Sequence, residues 1–220
     1  MRKENRKELT KKYFNSTAED YNQSHDGKFV QCMYQEIVER VRMLKPKRVL
    51  DLGCGNGNVI QLLKSRIPSQ YYGLDISEKM IEETKKRFGN DVKLCVGDAE
   101  KLPYEDQMFD LIICNASFHH YPRAERAVAE MKRVLKPEGT VILGDPTLPG
   151  KIFTSILNLL MKYSNSGEAK IWHKKETTAL FRGYGYQAQD WQTLNYKTFM
   201  FYVVLRSYMP ITIMLEIDIQ

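Results

Sequence analysis

Apolar residues recur every three to four positions in some stretches of this chain and run together in others, and the two patterns alternate. Phe29, Met33, Ile37, Val41 and Leu44 predict one amphipathic helix over 28–43 after an opening helix, ended by Pro46. Val49, Leu50 and Leu52 in RVLDLGCGNG then suit a strand buried on both faces and broken by glycines. Helical spacing returns over 58–66 through Val59, Leu62 and Leu63, and Pro68 closes it. The alternation continues with YYGLDI as a strand, Ser77 as N-cap of SEKMIEETKKRF, Gly89 just past that helix, and VKLCVGD as a strand. FDLIICNA, AERAVAEMKRVL and GTVILGD read as strand, helix and strand. Strands separated by helices of this length need crossover connections, so the expected fold class is α/β with a mostly parallel, doubly wound sheet.

Beyond Pro146 the rhythm changes. Residues 149–182 read as helical, with Ile152, Ile156, Leu159 and Leu160 in a stripe that serves either as packing or as a cap, since the segment follows a strand end where ligands of such sheets bind. Residues 186–206 read as two strands about an Asn195 turn, an antiparallel pair at one edge, and SYMPITIMLEIDIQ has no clear assignment.

A length of 220 residues suits one core, and no apolar run reaches the roughly 18 to 20 residues of a membrane-spanning helix. The charged N-terminus lacks the apolar stretch and cleavage site of a signal peptide, so a cytoplasmic location is expected. Cys32, Cys54, Cys95 and Cys114 are too scattered for a zinc pattern; no metal is expected, and Cys95 and Cys114 read as small buried hydrophobes. Of the net charge of +6, most sits in the first twelve residues, where Arg2, Lys3, Arg6, Lys7, Lys11 and Lys12 face only Glu4 and Glu8. Such a helix can touch nucleic acid or an acidic substrate, but the plainer reading is a solvated face, because no basic and aromatic pattern recurs elsewhere.

The sharpest chemical signal is Asp51-Leu52-Gly53-Cys54-Gly55-Asn56-Gly57, between a strand and a helix. Glycines there let backbone pass close to a ligand. A dinucleotide loop wants G-x-G-x-x-G, and these glycines are one residue tighter; an acidic residue two positions before Gly53 also repels a diphosphate and suits a cationic amino group. Asp75 ends the next strand, where a carboxylate can accept both hydroxyls of a ribose. Asp98 ends the third and could accept from an adenine amino group, with Ile76 and Ala99 beside the ring, and Asn115 ends the fourth. Singly, Asp75 is also a helix cap and Asp98 a turn residue; polar groups at successive strand ends beside one glycine loop point together to a site.

These motifs, with VGDAEKLPYEDQMFDLIICN, RVLKPEGTVIL and the leader YFNSTAEDYNQSH, resemble the class I S-adenosylmethionine-dependent methyltransferases, in the type 11-like subgroup similar to ubiquinone and menaquinone biosynthesis enzymes. The resemblance runs from about Tyr13 to Leu143. It implies a Rossmann-like, seven-stranded sheet with an antiparallel edge strand, N-terminal helices and a helical insertion as candidate cap. It also implies a single methyltransferase domain over 1–220: an N-terminal helical segment 1–45, a cofactor-binding core 46–145, an insertion 146–182, edge strands 183–206 and a tail 207–220. By that likeness Asp51 and the loop Gly53, Cys54, Gly55, Asn56 and Gly57 hold the methionine part, with Cys54 a spacer. Asp75 then takes the ribose, Asp98 and Ala99 the adenine, with Ile76, Met80 and Glu100 alongside; Asn115 lies near the methionine end, and Tyr13 and Tyr21 close over the cofactor.

The implied reaction is in-line transfer of methyl from S-adenosyl-L-methionine to a small-molecule acceptor, leaving S-adenosyl-L-homocysteine. Orientation in a dry pocket carries such a step, and a general base is optional. Candidates for one are His119 and His120 of NASFHHYP, although histidines in such a turn are more often packing or hydrogen-bonding residues. Tyr163, Trp172, His173 and Phe181 are candidates either for an aromatic acceptor pocket or for the core of the cap. The alternatives are an RNA or protein methyltransferase, which would more often carry N-P-P-Y where this chain has NASF, a non-catalytic S-adenosylmethionine-binding protein, and an NAD-dependent oxidoreductase, which the glycine spacing disfavours. Nucleic acid is not an expected partner, and the sequence leaves oligomeric state, acceptor atom and pathway open.

Overall fold

The computed structural model describes residues 3–147, 151–161, 167–195 and 200–207. Its centre is built from strands that the chain makes almost wholly apolar: β1 (Arg48–Leu52), β2 (Gln70–Asp75) and β4 (Phe109–Asn115) are buried along nearly their whole length. With β3 (Lys93–Val96) and β5 (Leu135–Pro146) they pair in parallel. The sheet is completed by β6 (Tyr186–Asn195) and β7 (Met200–Ser207), giving the order β3-β2-β1-β4-β5-β7-β6. The antiparallel strand is not the edge strand. β7 runs antiparallel to both β5 and β6, and β6 lies outermost, in the same direction as β1–β5. Placing β7 inside engages β5 from Thr140 to Pro146 on its second side. At the opposite edge β3 is only four residues long and carries Lys93, features that discourage pairing with another chain.

Because side chains alternate across a strand, the sheet has two apolar faces. Val49, Leu111, Ile113 and Ile142 face α3 (Tyr34–Leu44) and α4 (Asn58–Lys64), with Ile37, Val41, Ile60 and Leu63 as partners. Leu50, Leu52, Ile112, Cys114 and Val141 face α6 (Ala124–Val134) and α8 (Lys174–Gly183), packed on Val128, Met131 and Phe181. On this side Phe109 is fully buried, its ring 5.1 Å from Tyr72 and 5.0 Å from Tyr104. Phe109→Ala is expected to lower the unfolding free energy by about 3–5 kcal/mol in urea titration; a loss near zero would mean that this core collapses without cost.

Helix α5 (Glu78–Phe88) starts as anticipated, with the Ser77 side chain accepting from the Met80 amide. Two other expectations change. Residues 28–43 are not one helix: α2 (His25–Phe29), a 3₁₀ turn over Val30–Met33 and α3 follow one another. Three residues per turn place Val30 and Met33 on the same side, and both are buried. Nor is the insertion helical throughout. α7 (Lys151–Leu160) and α8 are separated, and residues 167–173 are irregular. Local partners take the place of helical hydrogen bonds there: the Asn158 side chain bonds both the amide and the carbonyl of Ile171, and the Ala169 and Lys170 amides donate to the His119 carbonyl. Residues 208–220, the stretch without a sequence assignment, lie outside the described residues. Among those described, no helix is long and apolar enough to cross a membrane.

Candidate functional site

The parallel strands end together, and the loops that leave them surround a cleft with about 690 Å³ of atom-free space. The glycine loop after β1 lies where neighbouring connections leave β1 and β4 toward opposite faces, the place where open α/β sheets bind ligands. Four of its five amides are engaged within the protein: Gly53 and Cys54 donate to the Leu74 carbonyl, Gly57 to the Cys54 carbonyl, and Gly55 to Asp75 Oδ2 at 2.9 Å. A loop so used has no amide nest for a phosphate. Gly55, at φ +54°, has only open space where a Cβ would stand, whereas Gly57 is packed on Thr84 and Phe88 and serves the α4–α5 contact.

Beside this loop stand acceptors without donors. Asp51, 2 % exposed on β1, and Asn115, at the end of β4, have buried oxygens, Oδ2 and Oδ1, with no hydrogen-bond partner among the described residues. Burial, and secondarily the charge of Asp75, pushes the Asp51 carboxyl up to about 8. An unpaired buried carboxylate is costly, so its natural complement is a cation that arrives with a ligand. Asp75 is raised above the usual carboxylate range by burial, against the backbone donors that hold it. Its two oxygens accept from the Gly55 and Ser77 amides at 2.9 Å each. Each keeps a second lone pair, so the carboxylate is pre-oriented and can still accept from hydroxyls.

The cleft gathers Tyr21, Gly53, Gly55, Asp75, Ile76, Met80, Asp98, Ala99, Glu100, Asn115 and His120 from the sequence-based set. Asp51, Cys54 and Asn56 line an adjoining recess of about 320 Å³ that shares Tyr21, Gly53, Gly55 and Asn115 with it. Tyr13 lines neither; its hydroxyl donates to Asp26 Oδ2 at 2.8 Å. The ring that enters the cleft is the next one, Phe14, on the same face of α1 (Lys3–Thr17) as Lys7 and Thr10. Sequence reasoning missed this face, although the 7–10–14 spacing was there to be read. Lys7 is no solvated residue: its Nζ donates to Asp98 Oδ2 at 2.6 Å and to Glu100 Oε2. Glu100 is further occupied by the Arg123 amide at 2.7 Å, which makes it a tie between α1 and the start of α6. Arg6 likewise donates to the Glu168 carbonyl and Lys11 pairs with Glu78, so much of the basic N-terminus is bound within the fold. Ser117 and Tyr121, hydroxyls 2.5 Å apart, also line the cleft.

The two histidines part company. His120 lines the cleft with its ring edge-on to Phe14 at 5.2 Å, and burial, then the neighbouring His119, holds its pKa well below the ordinary histidine value. His119 does not line the cleft; its Nδ1 is 2.9 Å from Asp145 Oδ1. Burial opposes the His119 charge, but Asp145 outweighs it and raises the pKa. Of the candidate acceptor residues, Trp172 and Phe181 are buried against Phe118 at 5.2 and 5.6 Å, and His173 caps α8. None of the three lines the cleft, and Tyr163 lies outside the described residues. The two cysteines read as buried also differ: Cys114 is fully buried and Cys95 only partly. Among the described residues no cluster could hold a metal ion.

A methyltransferase-domain family model matches residues 50–143. The ubiquinone/menaquinone biosynthesis C-methyltransferase UbiE of Desulfotalea psychrophila is 33% identical over 174 residues, which cover 70% of this chain and 69% of that protein. The chain belongs to the S-adenosylmethionine-dependent methyltransferase family. A demethylmenaquinone methyltransferase of Thermotoga maritima is 36% identical over 130 residues, spanning only 56% of each chain. The fold matches that of a Burkholderia thailandensis 1,6-didemethyltoxoflavin-N1-methyltransferase solved with its namesake ligand and S-adenosylhomocysteine. There the TM-score is 0.76 at 15% identity, over 95% of this chain and 92% of that one. The family's cofactor fits the residues present: it carries an ammonium and a sulfonium and no phosphate, as unpartnered acceptors beside a loop with engaged amides require.

Proposed function

We propose that this chain transfers the methyl group of S-adenosylmethionine to a small-molecule acceptor of quinone type. The carrying observation is the pair of unpartnered, buried oxygens of Asp51 and Asn115 beside the Gly53–Gly57 loop. Both would accept from the ammonium of the methionine moiety, Asp75 would accept from the ribose hydroxyls, and Asp98 with Ile76 and Ala99 would take the adenine. Bound there, the cofactor supplies a methyl group on a sulfonium, already an excellent leaving group. The protein's part is to exclude water and fix direction. Phe14 and Tyr21 shield the cleft, Met80 closes it from the α5 side, and His120, unprotonated near neutral pH, offers an optional proton acceptor on the side where a nucleophile would enter. The names of the relatives support a quinone-type acceptor, and the internal engagement of Arg6, Lys7 and Lys11 speaks against a nucleic-acid partner. The reading treats 1–220 as one domain acting in the cytoplasm, with the segment around α7 and α8 closing the acceptor side.

Calorimetric titration with S-adenosylmethionine, S-adenosylhomocysteine and NADH tests the cofactor assignment. Both adenosyl ligands are expected to saturate a single site, with affinity about ten- to a hundredfold lower in Asp75→Ala, the usual cost of losing a charged hydrogen-bond acceptor. Release of S-adenosylhomocysteine on adding a demethylated quinol then tests the acceptor class. NADH binding without adenosyl binding would overturn the assignment.

A further inference from the structure

We propose that Asp145 is a positioning residue: by pairing with His119 it places the positive charge of the adjoining histidines on the ring outside the cleft lining, so that His120 meets a cationic cofactor as a neutral group. The inference rests on the reading above, in which the cleft takes a sulfonium.

The geometry carries it. Asp145, near the end of β5, is 0% exposed, and its Oδ1 is 2.9 Å from His119 Nδ1. A carboxylate so deeply buried is tolerated when a cation neutralises it. The rings of His119 and His120 are 4.1 Å apart, and at that spacing in a buried setting two imidazolium ions are strongly disfavoured. A proton on this pair can therefore settle on only one ring; the carboxylate draws it to His119, and the burial of His120 acts in the same sense. The other acidic groups that act on His119, Glu168 ahead of α8 and Asp26 of α2, favour the same choice. His120 faces a different surrounding. Phe14 of α1 packs edge-on to it, its Nδ1 is buried with no partner among the described residues, and His119 is the charged neighbour that acts on it. Lys7, Asp75, Asp98 and Glu100 are the charged side chains that share its cleft. Lys7 is tied to Asp98 and Glu100, and Asp75 holds backbone amides, so none of them pairs with His120. A protonated His120 would repel the sulfonium that this cleft is proposed to hold; a neutral one does not.

The test compares two ligands that differ in that charge. S-adenosylmethionine and S-adenosylhomocysteine share the ammonium group, so titration of Asp51 affects both and cancels in the ratio of their affinities. In the wild type this ratio is expected to stay constant between about pH 5.5 and 7, where an ordinary histidine titrates and both ligands keep a protonated ammonium. In Asp145→Asn the carboxylate no longer favours His119, so the repulsion that opposes a proton on His120 is relieved while its burial remains, and affinity for S-adenosylmethionine relative to S-adenosylhomocysteine should fall about threefold toward the acid end. Adding His120→Gln to Asp145→Asn should restore the constant ratio, which a purely structural role for Asp145 would not produce. The wild-type imidazole signals, assigned with single His119→Gln and His120→Gln variants, need no change at Asp145: His119 should titrate above the ordinary histidine value and His120 should remain unprotonated across the range. A His120 midpoint near the ordinary value, or an unchanged ratio in Asp145→Asn, would overturn the proposal. Failure of both ligands to bind the wild type would instead overturn the cofactor reading, and the NMR midpoints would still decide the charge placement.

Discussion

Asp51→Asn is expected to weaken binding of S-adenosylhomocysteine by about a hundredfold or more while making the free protein more resistant to unfolding. Both effects come from one carboxyl. Its pKa rises from 3.8 to about 8 on folding, so between these values the folded state holds a proton that the unfolded chain has released. Stability from this group is therefore highest at acid pH and falls as pH rises toward about 8, where the native carboxylate becomes charged without a partner. Asparagine keeps the shape and removes that penalty, so the decline in melting temperature over this range should be shallower in the variant. The ligand's ammonium makes the opposite demand, since it needs the ionised form; removing one member of a buried charged pair costs about 3–5 kcal/mol. Binding to the wild type at pH 7 should accordingly release close to one proton, visible as a calorimetric enthalpy that depends on the buffer's ionisation heat. Equal affinity in the variant, with no buffer dependence in the wild type, would remove Asp51 from the site.

Gly53→Ala should destabilise the fold by more than about 3 kcal/mol and abolish binding, because two costs add. The residue sits at φ +78°, where any Cβ costs about 1 kcal/mol. That Cβ would also stand 2.0 Å from Ser117 Oγ and 2.5 Å from Ser117 Cβ. Ser117 has little freedom to retreat while its hydroxyl is held by Tyr121. Gly55→Ala is the control. Its φ is also positive, but no atom lies within 4 Å of the new methyl group, so it should fold with a loss of only about 1 kcal/mol. Chemical denaturation of the two variants reads the contrast directly; similar losses would show that the Gly53–Ser117 approach relaxes freely.

The sheet was legible in the sequence for a physical reason. A strand covered by helices on both faces must be apolar throughout, so the polar residue that ends the run marks the rim of the sheet, as Asp75 and Asn115 do; Asp51 lies one residue inside the end of β1 and Asp98 two residues past the end of β3. The N-terminal helix was not legible in this way. Its contacts pair residues far apart in sequence, Lys7 with Asp98 and Glu100, and a charged residue on a polar helix looks the same whether water or a carboxylate meets it. Tyr13 and Phe14 show how much a displacement of one residue matters. One step along a helix turns a side chain by about 100°, and the resemblance to a family leader specifies an aromatic segment more firmly than the ring that enters the cleft. Trp172 and Phe181 show a related ambiguity, since an apolar aromatic residue serves a core and a substrate pocket equally well and only packing against Phe118 separates them. The break in the insertion depends on Asn158 reaching Ile171 and on amides that find the His119 carbonyl, contacts that no periodicity encodes.

The ammonium of Lys7 on Asp98 changes how affinity should be distributed along a bound ligand. An adenine amino group that reaches Asp98 replaces a donor already in place, so the adenine end gains only the difference between two hydrogen bonds. The methionine end meets acceptors with no prior partner and gains nearly the whole of each. Fragments of the cofactor should therefore be unequal: adenosine alone a poor ligand, and the amino-acid tail the part by which the molecule is recognised.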